Sequence, residues 1–125
     1  MIVGTGVDIV EVARINKSLE KYSPRFEEKI FTADEIGYCR SKAKPDIHFA
    51  ARFAAKEAVM KCMGVGMDQQ IAFKDIEITN LKTGKPQVNL SGKGKELFIL
   101  LKIKTIHISL SHDKNYAVAQ AIAES

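Results

Sequence analysis

The chain has 125 residues, 46% of them hydrophobic and 27% charged, an ordinary globular balance that excludes a disordered, coiled-coil or fibrous protein and leads us to expect a single domain over residues 1–125. Nineteen Lys and Arg against fifteen Asp and Glu give a net charge of +4, which favours an anionic partner without choosing among a nucleotide, a nucleic acid and an acidic protein. No apolar run reaches the length of a membrane span, and the opening MIVGTGVDIV carries neither a basic n-region nor a small-residue cleavage site, so the expectation is a cytoplasmic protein with no membrane partner.

Residues Ile2 to Ile9 alternate as a strand, with Val3, Val7 and Ile9 on one face and Ile2, Gly4, Gly6 and Asp8 on the other. Two glycines on one face weaken a strand unless another backbone comes close. A helix is therefore expected against that face, with Asp8 at its rim. A first helix follows over about Val12–Tyr22, ended by Pro24. Thr32 and Glu35 have capping-box spacing, so a second helix should begin at Ala33 and run to about Ser41. Asp46, after Pro45, is placed to cap a long helix over Ile47–Met63, which Gly64 would stop.

Beyond it, DIEITN and PQVNL flank LKTGK as a hairpin, and Ser91 could cap a helix through about Lys102. TIHISLS and YAVAQAIA then read as two strands joined by a tight HDKN turn. The order βααα, ββα, ββ, with no repeat or linker, predicts an α+β fold: an antiparallel sheet packed on helices. Cys39 and Cys62 lack CxxC spacing and a histidine cluster, and read as two reduced structural thiols.

The charges of the long helix carry the chemistry. Stepping about 100° per residue groups His48, Arg52 and Lys56 on one side, where solvent or a polar ligand is expected. Glu57 and Lys61 fall elsewhere, between the stripe Phe49, Phe53, Met60 and the small stripe Ala50, Ala54, Ala58, where burial is expected. An exposed i,i+4 Glu–Lys pair would be worth only a few tenths of a kcal/mol and mean little. A carboxylate on a packed face is different, because desolvation costs several kcal/mol and demands an ion pair, a metal or a functional purpose. Small alanines would let the glycine face of the first strand approach, bringing Asp8 towards Glu57. Two converging carboxylates suit Mg²⁺ with water and phosphate oxygens, or alternatively a pair sharing one proton. Lys61 favours the phosphate reading, since an ammonium there offsets charge building on a transferring phosphoryl group.

Other features point less sharply. SGKGK, Ser91 to Lys95, lacks the leading glycine and trailing Ser or Thr of a Walker A loop and reads as a helix start. GVG, Gly64 to Gly66, reads as a helix stop, and His112 ends an apolar strand series as either a structural residue or a ligand; His48 and His107 receive no role. The basic series Arg14, Lys17, Lys21, Arg25 and Lys29 reads first as a solvated helix face. A non-enzymatic nucleic-acid-binding module would explain that charge, but not acids on a packed face, and there is no aromatic-rich RNA-binding signature or zinc finger.

GVDIVEVARI near the start and RFAAKEAVMKCMG in the middle resemble the two signature motifs of the short 4'-phosphopantetheinyl transferases of the holo-[acyl-carrier-protein] synthase type, and the likeness extends through GKP to the closing SLSHDKNYAVA. The resemblance implies transfer of 4'-phosphopantetheine from coenzyme A to a serine of an acidic apo acyl carrier protein, as in fatty acid biosynthesis, with release of adenosine 3',5'-bisphosphate. It implies Asp8 and Glu57 as Mg²⁺ ligands at the pyrophosphate and Lys61 as a phosphate contact, the three forming the catalytic set. Phe53 stands where the wider superfamily often has Trp, as is usual in the short branch. Homotrimers with active sites at subunit boundaries are likewise implied. Arg14, Lys17, Lys21 and Arg25 would lie on a helix facing the carrier, and Arg52, Lys56, Lys85, Pro86, Ser109 and His112 are candidates for the coenzyme A site. Glu57, directly or through a water, is the preferred base for the serine proton.

Overall fold

In the computed structural model, which describes residues 1–65 and 71–125, the first strand lies flat against the longest helix. The elements run β1 (Ile2–Glu11), α1 (Val12–Tyr22), α2 (Arg25–Ile30), α3 (Ala33–Arg40), α4 (Pro45–Cys62), a 3-10 turn (Phe73–Asp75), β2 (Ile76–Asn80), β3 (Pro86–Leu90), α5 (Gly92–Leu100), β4 (Thr105–His112) and β5 (Tyr116–Glu124). The fold is α+β as expected, but the strands form two sheets. β1, β5 and β4 make an antiparallel sheet in that order, with the last strand in the middle, and β2 and β3 pair separately as the expected hairpin.

Side-chain size explains how α4 meets the larger sheet. Ala117, Ala119, Ala121 and Ala123 of β5 are fully buried, as are Ala50, Ala54 and Ala58 of α4. A Cβ built on Gly4 would come within 2.1 Å of the Cys62 carbonyl oxygen, and one on Gly6 within 2.1 Å of that of Ala58. Nothing larger than hydrogen fits between strand and helix at these points. The opposite face of β1 is uncovered among the described residues, leaving Val3, Val7 and Ile9 40%, 60% and 63% exposed.

The helix boundaries differ from expectation in instructive ways. The capping box at Thr32 forms, with the Glu35 amide donating to Thr32 Oγ1 and the Thr32 amide to Glu35 Oε1. Asp46 is not the cap of α4: Pro45 already occupies the first turn, where its missing N–H is no loss, and the Asp46 carboxylate accepts only from the Ile47 amide next to it. Nor does the Ser91 hydroxyl cap α5, which ends at Leu100, two residues short of expectation. Its glycine-rich start folds around the Asp75 carboxylate, with Gly92 at φ +51°. Gly64, at φ +75°, follows α4 as a helix stop, whereas Gly66 of the same motif lies outside the described residues. No periodic signal marks α2 in the sequence, because its six residues are too few to show one.

Cys39 and Cys62 are buried free thiols, pushed up to about 12 and about 11 by burial. Among the described residues no helix is long and apolar enough to cross a membrane.

Because the contact at Gly6 is to backbone and not to a movable side-chain tip, Gly6→Ala should destabilise the fold by about 2–4 kcal/mol, read as a lowered midpoint in denaturant titration. An unchanged midpoint would mean that strand and helix separate freely.

Candidate functional site

The alternation that puts Gly4 and Gly6 under α4 puts Asp8 there too, one step further along the same face. At that point the helix presents Glu57 and Lys61. Lys61 Nζ donates to Asp8 Oδ1 at 3.1 Å and to the Val7 carbonyl at 3.0 Å. The Asp8 side chain is 13% exposed and that of Lys61 52%. Glu57 is half-buried. Its carboxyl is raised above the ordinary 4.5, first by burial and then by the neighbouring Asp8 charge, with Lys61 pulling the other way.

The three residues thus meet as the spacing predicted, with one correction. Asp8 is at the rim as expected, but Glu57 and Lys61 share that open rim of the helix–sheet contact and do not lie within the packed face, because the strand reaches past the alanine stripe just where Asp8 begins. A half-wet rim lets substrate in while still desolvating one carboxylate. Two mutually repelling carboxylates are a hard-oxygen donor set, and no group of three or more His, Cys, Asp or Glu able to hold a metal occurs among the described residues. A divalent cation taking one or two carboxylates and completing its shell with water and phosphate oxygens fits that donor set.

A second group of predicted residues lines a cavity of about 400 Å³, where Arg52, Lys85, Pro86, Ser109 and His112 are joined by Tyr38. Arg52 is buried, its guanidinium 4.0 Å from the Tyr38 ring centroid and its Nη2 donating to Asn80 Oδ1 at 2.6 Å. Its Nε is buried with no partner. Tyr38 and Asn80 carried no sequence signal of this role, since a tyrosine on a short helix and an asparagine before a turn are both commonplace. Arg52 and Glu57 are five residues apart, so their positions are offset by about 7.5 Å along the α4 axis and face different sides of it.

Lys56 does not belong to that cavity. It is fully buried, and its Nζ donates to Glu35 Oε1 at 2.7 Å and to the carbonyls of Phe73 at 3.1 Å and Ile76 at 2.6 Å. All three of its protons are used, which leaves nothing for a ligand. The helical side expected to face solvent is covered here by α3, the 3-10 turn and β2. Burial pulls the ammonium below its ordinary value against the pull of Glu35, whose other oxygen accepts from the Ile78 amide at 2.9 Å. Sequence reasoning assigned Glu35 to the cap alone. A lysine inside the core requires an acid, but nothing local in the sequence says which.

Of the basic series, Arg14, Lys17 and Lys21 are exposed on α1, whose opposite side buries Val12, Ile15 and Leu19. Arg25 is exposed as well, but it opens α2, because the chain turns at Ser23–Pro24.

Comparison with known proteins finds relatives along nearly the whole chain. The family model of the 4'-phosphopantetheinyl transferase superfamily matches residues 4–121. A holo-[acyl-carrier-protein] synthase of Syntrophus aciditrophicus is 45% identical over 124 residues, covering 99% of this chain and 97% of that protein. The crystal structure of the Neisseria meningitidis holo-[acyl-carrier-protein] synthase superposes with a TM-score of 0.92 at 31% identity over the full length of both chains. The Helicobacter pylori enzyme, crystallised with coenzyme A, gives 0.85 at 32% identity, covering 96% of this chain and 99% of that one.

Glu57 provides a test that needs no substrate. Its carboxyl is raised in the fold, so the ionised form is penalised above that raised value and the penalty fades as pH falls towards 4.5. Glu57→Gln should therefore raise Tm at neutral pH, by about 1–2 °C after allowance for solvent screening, and the gain should vanish in acid. A thermal scan in which the variant is less stable at neutral pH would refute the strained pair.

Proposed function

From membership of the 4'-phosphopantetheinyl transferase superfamily, to which this chain belongs, we infer that it is a holo-[acyl-carrier-protein] synthase, transferring 4'-phosphopantetheine from coenzyme A to a serine of apo acyl carrier protein. The observation that carries this reading to particular residues is the meeting of Asp8, Glu57 and Lys61 at one rim. A nucleic-acid-binding module is set aside, because the full-length relatives are synthases and the acids at the rim have no use in it.

Asp8 and Glu57 would hold Mg²⁺, which when bound supplies Lewis-acid stabilisation of the pyrophosphate oxygens. The serine oxygen bonds to the β-phosphorus, the bond from that phosphorus to the bridging oxygen breaks, and adenosine 3',5'-bisphosphate departs with the bridging electrons. Lys61 offsets charge on the phosphates with its exposed ammonium while its bonds to Asp8 and the Val7 carbonyl fix its position. Glu57 is the preferred acceptor of the serine proton, directly or through a water. Arg52 and Lys85 offer the cavity's positive charge to the 3'-phosphate of coenzyme A, with Pro86, Ser109 and His112 completing its wall.

Partner surfaces follow from exposure. Arg14, Lys17, Lys21 and Arg25 would meet the acidic carrier, steering encounter more than adding affinity. Val3, Val7 and Ile9 on the uncovered face of β1 would be covered by neighbouring copies in a homotrimer, which would place active sites at subunit boundaries. The setting is the cytoplasm, where coenzyme A and carrier protein serve fatty acid biosynthesis.

Incubation with coenzyme A, Mg²⁺ and an apo carrier should add the phosphopantetheine mass to the carrier, and Asp8→Ala or Glu57→Ala should lower the rate by at least about 100-fold while leaving the fold intact. Near-normal turnover in either variant would remove the metal role. In the same assay, charge reversal at Arg14 and Lys21 should raise the carrier's KM about 10-fold and blunt its salt dependence, with kcat little changed; an unaltered KM would return α1 to a plain solvated face. Sedimentation equilibrium should give three subunits for the parent chain and one for Val7→Glu, and a monomeric parent would overturn the assembly.

A further inference from the structure

His48 lines the cavity beside Arg52 and has no part in the transfer described above. Its ring meets Tyr38 of α3 edge-on at 5.9 Å between centroids and His112 of β4 at 6.1 Å. The charges acting on it are Arg52 on its own helix, Lys42 from the turn after α3 and His112, all cationic or able to become so, against the single carboxylate of Asp46. Lys85 adds a further cation to the same cavity from the β2–β3 hairpin. Arg52 forms no ion pair among the described residues and keeps one buried N–H unpartnered. The cavity therefore carries surplus positive charge and a vacant donor, which is the complement of a compact anion.

Burial, then Arg52, His112 and Lys42, hold the His48 imidazole below its ordinary 6.5, so in the free protein it is neutral at physiological pH. We propose that His48 is a further binding residue for a phosphomonoester dianion in this cavity, and that it takes up a proton as the dianion arrives. The proposal rests on the reading of the cavity as the 3'-phosphate site. Two negative charges within hydrogen-bonding range reverse the electrostatic bias on the ring, and the imidazolium then adds a charge-assisted donor to those of Arg52 and Lys85. Affinity rises as pH falls through the window between the free ring's depressed value and the raised value of the complex. A ligand lacking the 3'-phosphate recruits no proton, so protonation also sharpens the choice between nucleotides that differ by this one group.

Calorimetry of adenosine 3',5'-bisphosphate binding in buffers of different ionisation enthalpy tests this directly. Near neutral pH the parent chain should take up about half to one proton per site, and should bind about 3- to 10-fold more tightly at pH 6.5 than at pH 8. Adenosine 5'-monophosphate should show neither effect, and His48→Gln should still bind the bisphosphate with the uptake lost and the pH dependence flattened. In the unmutated chain the His48 ring resonances should titrate below 6.5 when free and above it when bound. Equal proton uptake in the parent and His48→Gln, or a ring that titrates identically in both states, overturns the role of His48 while leaving the phosphate site standing. Bisphosphate affinity unmoved by both Arg52→Ala and Lys85→Ala removes the site itself, and the proposal with it.

Discussion

The structure depends on how closely one strand can lie on one helix. Gly4 and Gly6 remove the side chains that would hold β1 away from α4, and alanines on α4 and β5 do the same across the rest of the contact. Small residues bury little apolar area each, so the gain lies in close packing and in fixed geometry more than in surface removed from water. That geometry is what the proposed site requires: the strand approaches closely enough for Asp8 to share the rim of α4 with Glu57 and Lys61. A bulkier strand would still be a strand, but its carboxylate would stand too far off.

Charges on one helix meet three different fates, decided by what covers them. Lys56 lies under α3 and β2 with Glu35 as counter-ion and ties the hairpin to the helix. Breaking a buried pair of this kind by removing one partner costs about 3–5 kcal/mol, because the remaining charge is stranded. Arg52, one turn earlier, is buried but has only the neutral Asn80 and the Tyr38 ring for company. Lys61, five residues after Lys56, stands half in water, where an ammonium can reach a substrate. The hairpin anchored by Lys56 carries Lys85 and Pro86, so this buried cation holds one wall of the cavity that Arg52 also lines.

Much of this was legible in the sequence, for identifiable reasons. Two glycines on one face of an apolar strand have few uses other than close approach, and that reading located both the helix and the rim position of Asp8. The capping box at Thr32 and the two terminal strands are local patterns and appeared where expected. What stayed hidden was non-local. Helical periodicity places Arg52 and Lys56 on one side but cannot tell which of them a later hairpin will cover. Asp46 had the chemistry of a cap but lost that position to Pro45, whose fixed φ suits the first turn. Tyr38, Asn80 and His48 became cavity residues only when α3, β2 and β4 were brought together by contacts far apart along the chain.

β5 follows β4 along the chain yet is the middle strand of its sheet, between β4 and β1. While residues 116–124 are still within the ribosome, β1 and β4 have no common neighbour, and the backbone that holds Asp8 in register through Ala119 has not emerged. The nascent chain can form its helices early, yet the larger sheet closes only across a very long loop, a step that is entropically late. The register of Asp8 against Ala119 is thus set only once β5 pairs with β1 across that loop, however early the helices form.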